Sequence, residues 1–317
     1  MSGNPSARGQ SRSRLLITGG SGLLALNWAC AMRERWDVVL GTHRHRVSLR
    51  GATALPLDLG DADRLSRQFA ELSPDLVVHA AGLTSVDACE ADPALARRVN
   101  AELARNVAVA VAGQNICLVH ISTDHLFAGT RSGYREDDAP EPLNEYARSK
   151  LLAEEWVTQA DPRALIVRTN FFGWGHAHRK SFSDWILQAL RAGRPVTMFD
   201  DVYFTPILAD VLAEAVHRLA ALSASGIANV VGDERVSKYE FAVRLAHAFS
   251  YDPALVRRGK LKDANLAAKR PTDMSLDNAK ARALLTDGLG RLDDFFHSLR
   301  GQQEAGRRDE LINAVSE

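Results

Sequence analysis

Gly19-Gly20-Ser21-Gly22 stands between an apolar run and the start of a helical pattern, and it constrains the fold more than any other feature of the chain. The run before it, Arg14-Leu15-Leu16-Ile17-Thr18, reads as a short buried strand. After it, Leu23, Leu24, Leu26 and Ala29 recur at helical spacing as far as Met32. A glycine turn between a first strand and a first helix permits a tight bend. It also brings a phosphate close to backbone N–H groups at the positive end of the helix. Gly19 suits the bend and Gly22 the close approach; Ala25, in the third position, is small enough for the helix to pack on the strand. Such a turn means dinucleotide binding only where strands and helices go on alternating.

They do alternate. Asp37 to Leu40, Thr53 to Leu57, Asp75 to His79 and Ile116 to Ile121 are strand-like, and the helix carrying Leu65, Phe69 and Leu72 has Asp61 as its N-cap. Short apolar strands separated by helices predict an α/β protein with a doubly wound parallel sheet, a Rossmann fold. The segment after the second strand, Gly41-Thr42-His43-Arg44-His45-Arg46, has no acid to hold adenosine ribose hydroxyls. Its cations favour NADP(H) over NAD(H), with Arg44 and His43 as candidate contacts to the 2′-phosphate.

Composition closes off other classes. The 317 residues hold 39 Lys+Arg against 39 Asp+Glu, without the basic excess of a nucleic-acid protein. No apolar run approaches the roughly 18 residues of a spanning helix, so no membrane partner is expected. Residues 1–13 are polar, lack the apolar stretch of a secretory signal, and read as a disordered tail. Cys30, Cys89 and Cys117 have no Cys-x-x-Cys spacing and fit reduced thiols of a cytoplasmic protein. The histidines offer no metal-binding spacing, so no metal is expected.

The chemistry concentrates after the fifth strand. Ser122-Thr123-Asp124 follows Ile121, and Tyr146-Ala147-Arg148-Ser149-Lys150 opens a helix further on. Tyr146 and Lys150, four residues apart, share one helical face. An ammonium below the phenol is expected to bring its pKa down towards working pH. Such a tyrosine exchanges a proton with a carbonyl or alcohol oxygen, and the Thr123 hydroxyl can bond the same oxygen.

With these residues in view, the chain from about 14 to 300 resembles the extended short-chain dehydrogenase/reductase superfamily, and within it the dTDP-4-dehydrorhamnose reductase branch. The resemblance rests on His79-Ala80-Ala81-Gly82-Leu83-Thr84-Ser85-Val86-Asp87 with Glu90, on Val99-Asn100-Ala101, and on Ser122-Thr123-Asp124-His125-Leu126-Phe127-Ala128-Gly129. Tyr134-Arg135-Glu136 ahead of the Tyr146/Lys150 pair, and Arg270-Pro271 with Ser275-Leu276, extend it. It implies Thr123, Tyr146 and Lys150 as a catalytic triad, with Tyr146 as general acid towards a 4-keto sugar. It also implies Gly19, Gly22 and Leu23 at the cofactor pyrophosphate, Asp58 and Leu59 at the adenine, and Ala80, Ala81 and Gly82 near the nicotinamide ribose. Lys150 would bond that ribose, and Asn170 is expected on the cofactor as well. Thr84, His125, Phe172 and Arg270 are expected on the substrate side. Arg270 is preferred among the basic residues of the C-terminal half, which include Arg179 and Lys180, because its motif matches.

Two departures bear on the substrate. The branch commonly has Tyr where this chain has His125, and Thr169-Asn170-Phe171-Phe172-Gly173-Trp174-Gly175 is closer to the Asn-x-x-Gly-x-Gly run of sugar epimerases. Phe182 and Trp185 fall on the apolar side of a later helix and read as core. The resemblance divides the chain into a dinucleotide-binding domain, 14–170 with 205–232 returning to it, and a smaller interleaved α/β substrate domain, 171–204 and 233–300. Residues 301–317 read as a charged tail that frays. The expected activity is NADPH-dependent reduction of a nucleotide-linked 4-keto deoxysugar by a monomer or homodimer. The alternatives are an epimerase of the same superfamily and a non-catalytic NADP-binding subunit resembling the regulatory beta subunit of methionine adenosyltransferase.

Overall fold

The computed structural model describes residues 12–316. Seven parallel strands form its central sheet: β1 (Arg14–Thr18), β2 (Asp37–Thr42), β3 (Ala52–Pro56), β4 (Leu76–His79), β5 (Cys117–Ile121), β6 (Leu165–Arg168) and β7 (Gly226–Asn229). Their spatial order is β7-β6-β5-β4-β1-β2-β3. The doubly wound α/β architecture expected from the alternation is therefore present, and the strand order reverses direction between β1 and β4. Crevices at the carboxyl ends of the strands open at such a switch point.

Alternation along each strand explains why helices cover both faces. Leu15, Ile17, Val38, Leu40, Val78 and Val119 point to one core. Leu16, Val39, Val77, Leu118 and Ile166 point to the other. The first face is covered by α1 (Leu23–Met32) and the later helices. The second is covered by α2 (Ala62–Leu72), α3 (Leu103–Val111) and α4 (Glu145–Ala160). Local signals set the helix starts: the Asp61 carboxylate accepts from Arg64 N at 3.0 Å, as expected of that N-cap. Fully buried Asn144 caps α4 by accepting from Ala147 N at 2.9 Å, one residue before Glu145 and two before Tyr146.

Beyond β6 the chain builds short two-stranded pairings around α5 (Phe182–Arg191), α6 (Ala209–Ala221) and α7 (Lys238–Ala248). Val196–Phe199 lies parallel to Val256–Gly259, and Tyr203–Phe204 antiparallel to Val236–Ser237. Phe172, Phe241 and Phe296 knit this region, with Phe172 edge-on to Phe241 at 5.1 Å. Trp185 departs from expectation: it is 47% exposed, because α5 turns its packed face through Ile186, Leu187 and Leu190.

The termini need correction as well. Residues 1–11 of the expected N-terminal tail lie outside the described residues. Ser13 is not free, since its carbonyl accepts from Asp37 N at 3.0 Å. The expected charged tail after residue 300 does not fray. α8 (Leu292–Glu304) continues past it, α9 (Arg307–Ile312) follows, and Val315–Ser316 pairs antiparallel with Arg46–Val47. Leu311, Ala314 and Val315 are buried, and Glu310 accepts from the Arg33 guanidinium at 2.5 and 3.0 Å. The charges that suggested a solvated end instead pair with the body of the protein.

Candidate active site

A cleft of about 790 Å³ opens at the carboxyl ends of β1, β4 and β5, where the strand order reverses. Its floor begins with the glycine turn. Gly19 has φ +68°, and a Cβ there would stand 2.7 Å from the Ala81 Cα, so only glycine lets the turn meet the loop after β4. Gly22 N donates to Gly19 O at 2.7 Å and stands as N-cap of α1. No side chain caps that helix, and its first turn contains no acid, so its N–H groups stay open to an anion. Gly19, Gly22 and Leu23 line the cleft, as do Ala80, Ala81 and Gly82. Asn100 clamps the latter loop: its Oδ1 accepts from Leu83 N at 2.7 Å, and its Nδ2 donates to Ser149 Oγ on α4 at 2.9 Å.

Thr123 and Tyr146 line the same cleft. Tyr146 is 9% exposed, and its phenol pKa is raised to about 12 by burial, against the pull of the Thr123 hydrogen bond. The expected lowering by an ammonium below it is therefore corrected. Lys150 Nζ is turned into the sheet, donating to Ile121 O at 2.7 Å and lying 3.3 Å from His120 Nε2. Burial brings Lys150 down to about 8, while Glu154 opposes the change. A phenol held this high stays protonated at neutral pH.

On the other side of Tyr146 stands His125, whose ring meets the phenol edge-on at 5.6 Å. Burial, with Lys238 and Arg270 nearby, lowers His125 to about 3, so the imidazole is neutral. Asn170 Nδ2 donates to Asp124 Oδ2 at 2.6 Å, and the buried Asp124 carboxyl is raised to about 6. Lys238 lies with Nζ 3.3 Å from the Phe204 ring centroid and is lowered to about 8 by burial.

Among the remaining expected residues, Thr84 and Phe172 border the cleft, but the Phe172 ring is mostly absorbed by the aromatic core. Arg270 is not in the lining: its guanidinium is held by Asp87 at 3.0 Å. His43 and Arg44 are exposed and outside the lining, and it is His45 of their loop that reaches the wall. Asp58 and Leu59 follow β3 outside the lining, with Asp58 accepting from Gly60 N.

One wall is built by His176 and residues 178–182; Arg179 and Lys180 were among the expected basic contacts, whereas His176 and His178 were not. Gly175 is obligatory there, since a Cβ would stand 2.3 Å from Arg179 O, and His176 and Arg179 exchange backbone hydrogen bonds at 2.9 and 3.0 Å. Arg179 donates to Thr84, so it spans the cleft mouth, and His178 stacks on His45 at 5.9 Å between ring centroids. The Asn-x-x-Gly-x-Gly run noted in the sequence leads into this wall: Gly173 packs on Asn27 of α1, whose Nδ2 donates to Trp174 O at 2.7 Å.

A cleft at the switch point of a doubly wound sheet, with the Thr123 hydroxyl and the Tyr146/Lys150 helix beside it, is the arrangement of the extended short-chain dehydrogenases/reductases. The chain belongs to the RmlD substrate binding domain family, whose model matches residues 13–291. It is similar to a hypothetical dTDP-4-dehydrorhamnose reductase from Sulfolobus tokodaii, with 35% identity, a TM-score of 0.76, and coverage of 88% of this chain and 98% of that one. A dTDP-4-dehydrorhamnose reductase from Bacillus anthracis, solved in complex with NADP, shares the fold with a TM-score of 0.81 at 24% identity, covering 92% of this chain and 99% of that one. Among curated relatives, the probable low-salt glycan biosynthesis reductase Agl14 of Haloferax volcanii is 29% identical over 88% of this chain and 94% of its own length. The methionine adenosyltransferase 2 subunit beta of Xenopus laevis is 28% identical over 90% and 86%.

Proposed function

We propose that this protein is an NADPH-dependent reductase of the 4-keto group of a nucleotide-linked deoxysugar. The observation that carries the reading is the meeting of Thr123 and Tyr146 with the open N-terminus of α1 in one cleft. The residues present fit the cofactor. A glycine cradle that a Cβ would fill, an uncapped helix end and a cationic loop match a dinucleotide diphosphate with a further phosphate. Gly19, Gly22 and Leu23 would hold the pyrophosphate, and His43, Arg44 and His45 the 2′-phosphate. Ala80, Ala81 and Gly82 would lie along the nicotinamide ribose, with Lys150 as its hydrogen-bond donor and Asn170 as a further cofactor contact. NADPH supplies the hydride when bound.

The remaining chemistry belongs to this chain. Thr123 donates to the substrate carbonyl oxygen and fixes its direction. Tyr146, protonated because burial holds its phenol near 12, gives that oxygen its proton. Thr84, Arg179 and His125 line the sugar-nucleotide side, with Arg179 meeting the diphosphate. The likeness to the Sulfolobus tokodaii protein and to Agl14 supports a sugar-nucleotide reductase.

NADPH absorbance followed with dTDP-4-keto-6-deoxy sugars tests the proposal. Tyr146→Phe should lower kcat by about 10²–10⁴-fold while leaving NADPH affinity near that of the unchanged chain. Turnover by that variant at an undiminished rate refutes the mechanism. A second reading, a non-catalytic NADP-binding regulatory subunit, is supported by the likeness to the methionine adenosyltransferase subunit. It predicts NADPH binding, no turnover with any 4-keto sugar, and co-purification with a synthetase.

A further inference from the structure

Beneath the cleft lie two buried histidines that the reaction outlined above does not use. His79 and His120 stand opposite each other on the adjacent parallel strands β4 and β5, with rings stacked at 5.3 Å and 19°. Their strand neighbours Val77, Val78, Leu118 and Val119 are apolar and buried, so apolar residues would satisfy the sheet at both positions. Two ring atoms have no hydrogen-bond partner, His79 Nε2 and His120 Nδ1. Buried polar atoms left bare in this way call for a reason. The reason is visible at the other ring nitrogen: His120 Nε2 lies 3.3 Å from Lys150 Nζ. His79 Nδ1 is tied to Thr18 Oγ1 at 2.8 Å, which fixes the ring that His120 stacks against.

We propose that His120 is a positioning residue for Lys150, accepting from the ammonium at Nε2 while the Ile121 carbonyl accepts a second N–H, so that one N–H is left for a cofactor ribose hydroxyl. The last clause rests on the reductase reading; the histidine–lysine contact does not. To accept, a neutral imidazole must carry its hydrogen on Nδ1, the atom the fold leaves bare. Burial, reinforced by the charge of Lys150, keeps His120 neutral. The titratable groups facing Lys150 are His120 on β5, His79 on β4, and Glu154 on its own helix, which is itself paired with Arg168 of β6. An acceptor aimed at the ammonium favours its charged form, and its loss moves the lysine pKa down.

The test is NADPH binding by the full chain, read from nucleotide fluorescence between pH 6 and 10. The unchanged protein should lose affinity as pH rises through the Lys150 pKa near 8. His120→Leu should move the break about one pH unit lower, weakening binding by about fivefold at pH 8 and about tenfold above it. His120→Gln, whose side-chain carbonyl can accept in place of Nε2, should restore most of both. Identical pH curves for His120→Leu and the unchanged chain overturn the proposal. A second measurement needs no variant that folds and no cofactor. Nitrogen-15 spectra of the histidines should show His120 protonated at Nδ1 and bare at Nε2, and the reverse tautomer overturns the proposal. Absence of NADPH binding by the unchanged chain would instead refute the reductase reading, leaving the tautomer to decide the role of His120.

Discussion

Replacing Glu154 by glutamine should destabilise the protein far more than a surface charge change would. The Glu154 carboxylate and the Arg168 guanidinium are 3% and 2% exposed, and Nη2 and Nε meet the two carboxylate oxygens at 2.8 and 3.0 Å. Ser122 Oγ donates to the same carboxylate, and Arg168 Nη1 reaches Glu136 O at 3.4 Å. Glutamine keeps the shape but leaves the guanidinium charge buried without a counter-ion, which costs about 3–5 kcal/mol. In a chain of 317 residues that corresponds to a fall in Tm of roughly 5–8 °C. The pair itself contributes much less, because desolvation offsets most of its attraction. The double variant Glu154→Leu/Arg168→Met should therefore lie closer to the unchanged protein than Glu154→Gln does. Urea unfolding followed by tryptophan fluorescence measures both. A Glu154→Gln chain within about 0.5 kcal/mol of the unchanged protein, the range of an ordinary surface substitution, refutes the reasoning. So does a double variant less stable than the single one.

Two further outcomes follow from buried groups. Lys150 has a folded-state pKa near 8, below the ordinary 10.5, so the unfolded chain binds its proton more tightly. Its ionisation thus costs stability below pH 8, and stability is regained as pH rises from 8 towards 10.5. Lys150→Met should raise stability at pH 7 by up to about 3 kcal/mol while abolishing turnover, and an unchanged or lower urea midpoint at pH 7 contradicts this. Leu311→Ala should cost about 2–5 kcal/mol by calorimetry if α9 is packed as described, whereas a fraying tail would make the change silent.

What could be read from the chain, and what could not, divides along physical lines. The central sheet was legible because each strand alternates between two buried faces, and because Gly19 needs a backbone conformation that few other residues adopt. Tyr146 and Lys150 were legible because helical spacing is a local property. Their surroundings were not. His120 sits inside an apolar run and has no signal of its own; its contact to Lys150 crosses from strand to helix. Lys238 opens α7, and only the folding of that helix over Phe204 brings its charge near Asp124. Arg270 stood out through its motif, but its pairing with Asp87, remote in sequence, carries no local signal. The C-terminal segment misled through composition, since its charges outnumber the few apolar residues that anchor it. Leu311, Ala314 and Val315 were the available signal.

The pairing of Ser316 with Arg46 sets a practical limit on engineering. Any extension past Ser316 would start opposite Arg46, the neighbour of His45 in the cleft wall. A fusion partner there should be joined through a flexible spacer, so that the Val315–Val47 pairing is kept. The start of β1 at Arg14 lies at the opposite, amino ends of the strands, away from the cleft at their carboxyl ends.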